Sequence, residues 1–265
     1  MDIEELENKS IYLIRESYNR FKNIALLWSM GKDSTALLWI CRKAFFGKIP
    51  FPVIHIDTGY KFKEIYEFRE RYSKAWDINL IISKNEEALK NGMNFRVGRF
   101  ECCSTLKTQT LINTIKKHRL QAILLAIRRD EHGIRAKERY FSPRDINQAW
   151  NYHNQPPELW DLSPAELSPE EHYRVHPMLH WREIDIWEYI KHEKIPIVNL
   201  YLAQLHQRYR SIGCETCCFS IKSDANSIPK IIHELKTTQD SERSGRAQDK
   251  EGSYMMQKLR SLGYM

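Results

Sequence analysis

The residues of this 265-residue chain that could do chemistry fall into three groups. The first is Ser29-Met30-Gly31-Lys32-Asp33-Ser34, which follows an apolar run ending at Trp28 and precedes a helical pattern. A strand that turns sharply into a helix aims the turn's N–H groups and the first helical N–H groups at one point, with the helix dipole behind them. Ser29 and Ser34 add hydroxyl donors, Lys32 adds a positive charge, and Gly31 permits close backbone approach. The combination predicts a phosphate site. Its spacing is not Walker A, which sets two glycines around four residues ahead of Lys-Ser/Thr.

The second group is Asp57-Thr58-Gly59 with Arg128-Arg129. Moving a phosphate group needs cations on the leaving phosphates and an in-line oxygen nucleophile. Asp33 and Asp57 suit Mg²⁺, which usually takes one or two carboxylates plus phosphate oxygens; each also reads as a local cap. Arg128 and Arg129 present planar forks for phosphate or an attacking oxyanion, or else form a solvated face. Arg135, Lys137 and Arg139 read either as a basic lining or as one face of a surface helix. The third group is Cys102-Cys103 with Cys214, Cys217 and Cys218, while Cys41 sits in the helix after the loop as a small core residue.

The elements that must position these residues alternate. Helical spacing over residues 2–22 leads into a strand at about 24–28, and the helix after the loop runs to about Phe46. A buried strand over 51–56 ends in Asp57-Thr58-Gly59, followed by a helix from Phe62 to Trp76 and a strand from Ile78 to Ser83. Leu106 to His118 reads as a helix and Gln121 to Ile127 as a fourth strand ending at Arg128. Alternation of this kind predicts an α/β fold with a mostly parallel, doubly wound sheet and ligands at the carboxyl ends of its strands. Ser29–Ser34, Asp57–Gly59 and Arg128–Glu131 all fall at that edge. Residues 142–170, with five prolines, read as a long loop. Residues 175–178 read as a short edge strand, and 181–192 are amphipathic. The division expected is a nucleotide-binding domain over 1–195 and a smaller cysteine-containing subregion over 196–265. Its stretch from Thr237 to Gly252 reads as a mobile basic tail.

Hydrophobic content of 42% and charged content of 28% are those of a globular chain with core enough to fold without disulfides. No apolar run approaches the roughly 20 residues needed to span a bilayer, and the acidic start lacks the layout of a secretory signal. A cytoplasmic, reducing setting follows as the expectation, in which six cysteines are free, catalytic or metal-bound. The net charge of +7 favours nucleotides or nucleic acid as partners.

The loop resembles the PP-loop of the ATP pyrophosphatases, Ser-Gly-Gly-Lys-Asp-Ser, with Met30 replacing the first glycine. Further stretches are similar to the catalytic small subunit of bacterial sulfate adenylyltransferase: Ile54 to Phe62, Arg128 to Glu131, Arg135 to Arg139, Pro157-Glu158-Leu159-Trp160, Asp185 to Ile190 and Ser241 to Arg246. That subunit belongs with the phosphoadenylylsulfate reductases, so the resemblance implies an adenine nucleotide α-hydrolase-like fold. It also implies ATP held at Ser29, Met30, Gly31, Lys32, Asp33, Ser34, Asp57, Thr58 and Gly59. Cleavage would fall between the α and β phosphates, with Lys32, Asp33, Asp57, Arg128 and Arg129 as catalytic candidates.

The cysteines resemble a different branch. A tandem pair far upstream of Cys-x-x-Cys is similar to the [4Fe–4S] pattern of assimilatory adenylylsulfate reductases, which implies Cys102, Cys103, Cys214 and Cys217 as ligands. Zinc or a redox pair stays open on spacing alone. The nucleophilic cysteine segment at the reductase terminus has no counterpart here. The short stretch Gln204–Ile212 also stands where the sulfate-activating subunit is longer. Together these traits resemble the ATP pyrophosphatases of DNA phosphorothioation, implying DNA and a cysteine desulfurase as partners. The leading expectation is therefore adenylylation of a DNA backbone phosphate for sulfur insertion, with Arg135, Lys137, Arg139, Arg243 and Arg246 as the DNA-tracking surface. The alternative is adenylylsulfate formation from ATP and sulfate.

Overall fold

Four consecutive buried aliphatic residues, Ile24–Leu27, form strand β1 in the interior of a six-stranded sheet. A strand covered on both faces reads as a continuous apolar run rather than an alternating one, which accounts for its sequence. The computed structural model describes residues 2–133, 135–145, 148–150, 158, 171–247 and 255–263. In it β1 pairs in parallel with β2 (Val53–Asp57) and with β4 (Ala122–Leu124). Beyond β2 lies β3 (Leu80–Lys84), and beyond β4 lies β6 (His172–Val175), again parallel. Only β5 (Phe141–Arg144), at the far edge, runs antiparallel, giving the order β3-β2-β1-β4-β6-β5.

Helix α1 (Ile3–Arg20) opens on a capping box in which Asp2 accepts from the Glu5 amide and Glu5 answers on the Asp2 amide. The crossover helices are α2 (Lys32–Ala44) and α3 (Lys63–Ala75). After the short α4 (Glu86–Lys90), α5 (Arg99–Cys103) passes through a π-helical stretch, Ser104–Gln109, into α6 (Thr110–His118). The C-terminal part contributes α7 (Glu183–Glu193), the small hairpin β7 (Gln207–Arg208) with β8 (Ile221–Lys222), α8 (Ile228–Thr237) and α9 (Met255–Ser261). One apolar core runs from Leu26, Leu37, Ile54 and Leu124 on to Val198, Ile212 and Ile231, so this part of the chain beyond 196 is built onto the sheet's own core, while Leu259 of α9 packs with Cys103 in a second, smaller cluster. Each fully buried aliphatic contributes roughly 1.5–3 kcal/mol. Among the described residues no helix is long and apolar enough to cross a membrane.

Three local expectations are corrected. The strand expected at 175–178 lies at His172–Val175 and is internal, paired on both sides. Its buried His172, Tyr173 and Arg174 lack the apolar signature of an inner strand. The edge is instead Phe141–Arg144, inside the stretch read as loop; Pro143 is tolerated because an edge strand need not donate on both sides. The rest of that stretch lies largely outside the described residues. The expected mobile tail is, over its described part, an ordered 3₁₀ turn (Glu242–Gly245) whose Glu242, Arg243 and Arg246 are buried.

Candidate nucleotide site

The loop leaves the carboxyl end of β1 and opens α2, with Gly31 as N-cap. Met30 holds the left-handed conformation (φ 63°) and is 1% exposed. A non-glycine there costs roughly 1–2 kcal/mol, which burial of the thioether chain offsets. Gly31 has an ordinary φ of −68° but no room, since a Cβ would lie 3.3 Å from Ser29 Oγ and 3.5 Å from the Tyr201 hydroxyl. The loop's donors are turned inward. Ser29 N–H donates to Ser34 Oγ (3.2 Å), Gly31 N–H to Ser29 Oγ (3.4 Å), and Lys32 N–H to the Tyr201 hydroxyl (2.9 Å).

The Lys32 ammonium is 1% exposed and sits between Asp33 Oδ2 (3.0 Å) and Glu242. Burial would lower its pKa, but Asp33 and Glu242 more than reverse this and hold it charged. Arg128 lies fully buried behind it, reaching Asp33 Oδ1 through Nε at 2.8 Å, Asp130 through Nη1 at 2.8 Å, and Glu242 through Nη2. The Nε contact is an ion pair without hydrogen-bond geometry, because neither atom finds a hydrogen-bond partner. Glu242 is buried against both cations; desolvation would raise its pKa, and Arg128 and Lys32 pull it well below the carboxylate range.

Lys32, Asp33 and Glu242 of this cluster form one wall of a cleft at the carboxyl edge of the sheet. Leu27, Ile54, Ile56, Leu125 and Ile127 line it with aliphatic surface, and Lys61, Lys107 and Arg246 supply a second set of cations. Lys107 reaches it because the π-helical stretch re-phases the helix between α5 and α6, a distortion common at functional sites. Arg246 donates from Nε to Ser211 Oγ (3.0 Å) and from Nη2 to the Ile212 carbonyl (2.6 Å). It crosses Gly213 so closely that a Cβ there would fall 2.0 Å from Nη1.

The structure therefore brings Ser29, Gly31, Lys32, Asp33 and Ser34 to one cleft and separates the remaining candidates. Arg128 acts from behind Lys32. Arg129 turns the other way, to His180 and the Glu138 carbonyl (3.1 Å). Asp57 accepts from Gly59 N–H (2.8 Å) and the Tyr66 hydroxyl (2.9 Å), a strand-end cap outside the cleft lining. Thr58 is buried with its hydroxyl 3.2 Å from Cys214 Sγ. The expectation for the five basic residues that would track DNA, Arg135, Lys137, Arg139, Arg243 and Arg246, is corrected. Arg135 and Arg243 both pair with Glu131 inside the cleft, and Arg246 is turned inward, so three of the five are buried rather than arrayed on a surface. Of the Pro157–Trp160 motif only Glu158 lies within the described residues, accepting from the Tyr140 and Phe141 amides. Sequence reasoning missed Tyr201 and Lys107 as cleft residues. Lys61 and Glu242 stood inside quoted motifs without a role.

The cysteines converge on the same margin. Lys61 and Cys214 form a β-bridge, and Cys218 Sγ accepts from Gly213 N–H (3.0 Å) and Arg246 Nη1 (2.9 Å). Burial would raise the Cys214 thiol, but Lys107 and Lys61 bring it down to about 7. Cys102 is pushed up to about 12 by burial and by the neighbouring Cys103, Cys214 and Cys217. Yet among the described residues no three Cys, His, Asp or Glu are placed to hold a metal ion together.

A strand-loop-helix connection at the carboxyl edge of a mostly parallel sheet is the architecture of the α/β adenine-nucleotide-binding folds. Residues 23–219 match the phosphoadenosine phosphosulfate reductase domain, and the chain belongs to that family. It is 38% identical over 293 aligned positions to sulfate adenylyltransferase subunit 2 of Colwellia psychrerythraea, covering 99% of this chain and 98% of the relative. The same subunit of Phocaeicola vulgatus is 39% identical, covering 99% and 97%. Among solved structures, phosphoadenylyl-sulfate reductase from Candida auris superposes with TM-score 0.55 at 16% identity, covering 81% of this chain and 94% of that one. Candida glabrata FMN adenylyltransferase in complex with ATP gives TM-score 0.58 at 18% identity, covering 82% and 63%. These two likenesses show the shared fold.

Proposed function

We propose that the chain transfers the adenylyl group of ATP to an oxyanion with release of pyrophosphate, and that the oxyanion is sulfate. The observation that carries the acceptor is the similarity to sulfate adenylyltransferase subunit 2 along essentially the whole of both chains. The cleft supports the division of labour. Lys32 faces the leaving pyrophosphate, the aliphatic lining takes the adenine, and Lys61, Lys107 and Arg246 hold the attacking anion. Cations placed where charge develops lower the barrier without reorganising during the reaction. Mg²⁺ fits at Asp33, whose side chain is 20% exposed at the cleft, where it would neutralise the departing phosphates. Asp57, outside the cleft lining, is a poorer ligand. A companion large subunit follows from the relatives being a second subunit, and a cytoplasmic setting from the substrates.

The test is sulfate-dependent ATP–pyrophosphate exchange by the purified chain, alone and with a candidate large subunit. Exchange that needs sulfate supports the reading, and exchange indifferent to sulfate refutes the acceptor. One observation favours a second reading, in which DNA phosphate is the acceptor and a cysteine desulfurase the partner: Cys214 and Cys218 sit directly against the cleft cations Lys61 and Arg246. On that reading Cys102, Cys103, Cys214 and Cys217 would carry a [4Fe–4S] cluster, whose chemistry is electron transfer or sulfur binding. Anaerobically purified protein would then contain about four irons per chain. Colourless, iron-free protein would remove that reading.

A further inference from the structure

The structure assigns a gating role to Tyr201: its hydroxyl takes the Lys32 amide at the start of α2, and a phosphate oxygen must displace it to bind that amide. The inference rests on the reading that this loop receives the pyrophosphate end of ATP. Tyr201 lies 169 residues beyond Lys32, yet its hydroxyl accepts the Lys32 N–H at 2.9 Å. That amide is one of the helix-start donors that no intrahelical carbonyl can satisfy. Tyr201 is held there firmly. It is 2% exposed, it ends the 3₁₀ turn Asn199–Tyr201, and its ring packs edge-on against Trp187 at 5.4 Å.

The hydroxyl stands in for a phosphate oxygen, but as a weaker acceptor. Burial raises the phenol to about 12, so the group is neutral at physiological pH. An N–H bond to an anionic oxygen is roughly twice as strong as one to a neutral acceptor. The pairing therefore avoids a costly orphaned donor, while a charged phosphate can still win the exchange. Neutral ligands, which bring no stronger acceptor, gain nothing by displacing Tyr201. The remaining loop donors follow the same logic, being paired inside the loop or, for the ammonium, to Glu242 and Asp33.

Tyr201→Phe keeps the ring and its packing and removes only the competing acceptor. Binding of the α,β-methylene analogue of ATP is expected to tighten about three- to tenfold, the worth of one net hydrogen bond. The change should appear in KM for ATP, and the rise in Tm on adding the analogue should be larger than in the wild type. A merely structural tyrosine would leave affinity unchanged or weaken it, and either result with a binding-competent wild type overturns the gate. If the wild type itself fails to bind the analogue, the nucleotide reading of the loop falls, and that arm identifies it separately. As a measurement independent of the variant, 3-fluorotyrosine at position 201 should show a shifted ¹⁹F resonance when the analogue binds. An unmoved resonance would also overturn the gate.

Discussion

Replacing Glu242 by alanine tests whether the C-terminal segment is part of the site. Its carboxylate, 7% exposed, bridges Lys32 and Arg128, which are 1% and 0% exposed. Deleting one partner of a buried ion pair costs about 3–5 kcal/mol, because the remaining charge is left desolvated and uncompensated. Asp33 stays on both cations and Asp130 stays on Arg128. The loss should therefore lie at the lower end, about 3 kcal/mol. With a urea m-value of about 3 kcal/mol/M for a chain of this size, the midpoint should drop by about 1 M at unchanged slope. Pairing the change with Lys32→Met should recover part of the loss, giving a coupling of at least about 1 kcal/mol in a double-mutant cycle. An exposed basic tail predicts a change within about 0.5 kcal/mol and no coupling. A shift under about 0.2 M in urea, on the same m-value, would refute the buried bridge.

Lys32→Met in a folded protein should lower pyrophosphate release from ATP by about 10²-fold or more, read by a coupled phosphate assay; near-normal turnover would remove the loop from the mechanism. His55, fully buried and donating from Nδ1 to the Trp28 carbonyl at 3.0 Å, has its pKa lowered from 6.5 to about 4 by desolvation. The unfolded chain binds a proton below pH 6.5 that the folded chain refuses until about pH 4. Stability should thus fall through that window by about 3 kcal/mol, with no further loss from this group at lower pH. Buried His172 acts in the same direction, so a chemical-denaturation series in His55→Gln should show a shallower decline rather than none. Met30→Gly should relieve about 1–2 kcal/mol of backbone strain while losing about 2–5 kcal/mol of packing. A lower Tm is therefore expected, and a raised Tm would show that strain outweighs burial.

Much of this protein was legible locally. The apolar runs at Ile24–Leu27 and Val53–Ile56 announced inner parallel strands, because a strand covered on both faces has no polar side to show. The loop announced itself because an anion site of backbone amides needs a turn, a glycine and a helix start within six residues. The rest depended on long-range placement. Glu242 meets Lys32 across 210 residues and Tyr201 meets its amide across 169, distances over which sequence pattern carries no pairing rule. Strand His172–Val175 was hidden by polar side chains that only burial among other charged groups explains. Arg243 and Arg246 looked like surface charge, since composition records a positive side chain without recording its direction. Tertiary structure turned both inward, Arg243 onto Glu131 and Arg246 onto the sulfur of Cys218, because a guanidinium withdrawn from water must find its acceptors within the protein.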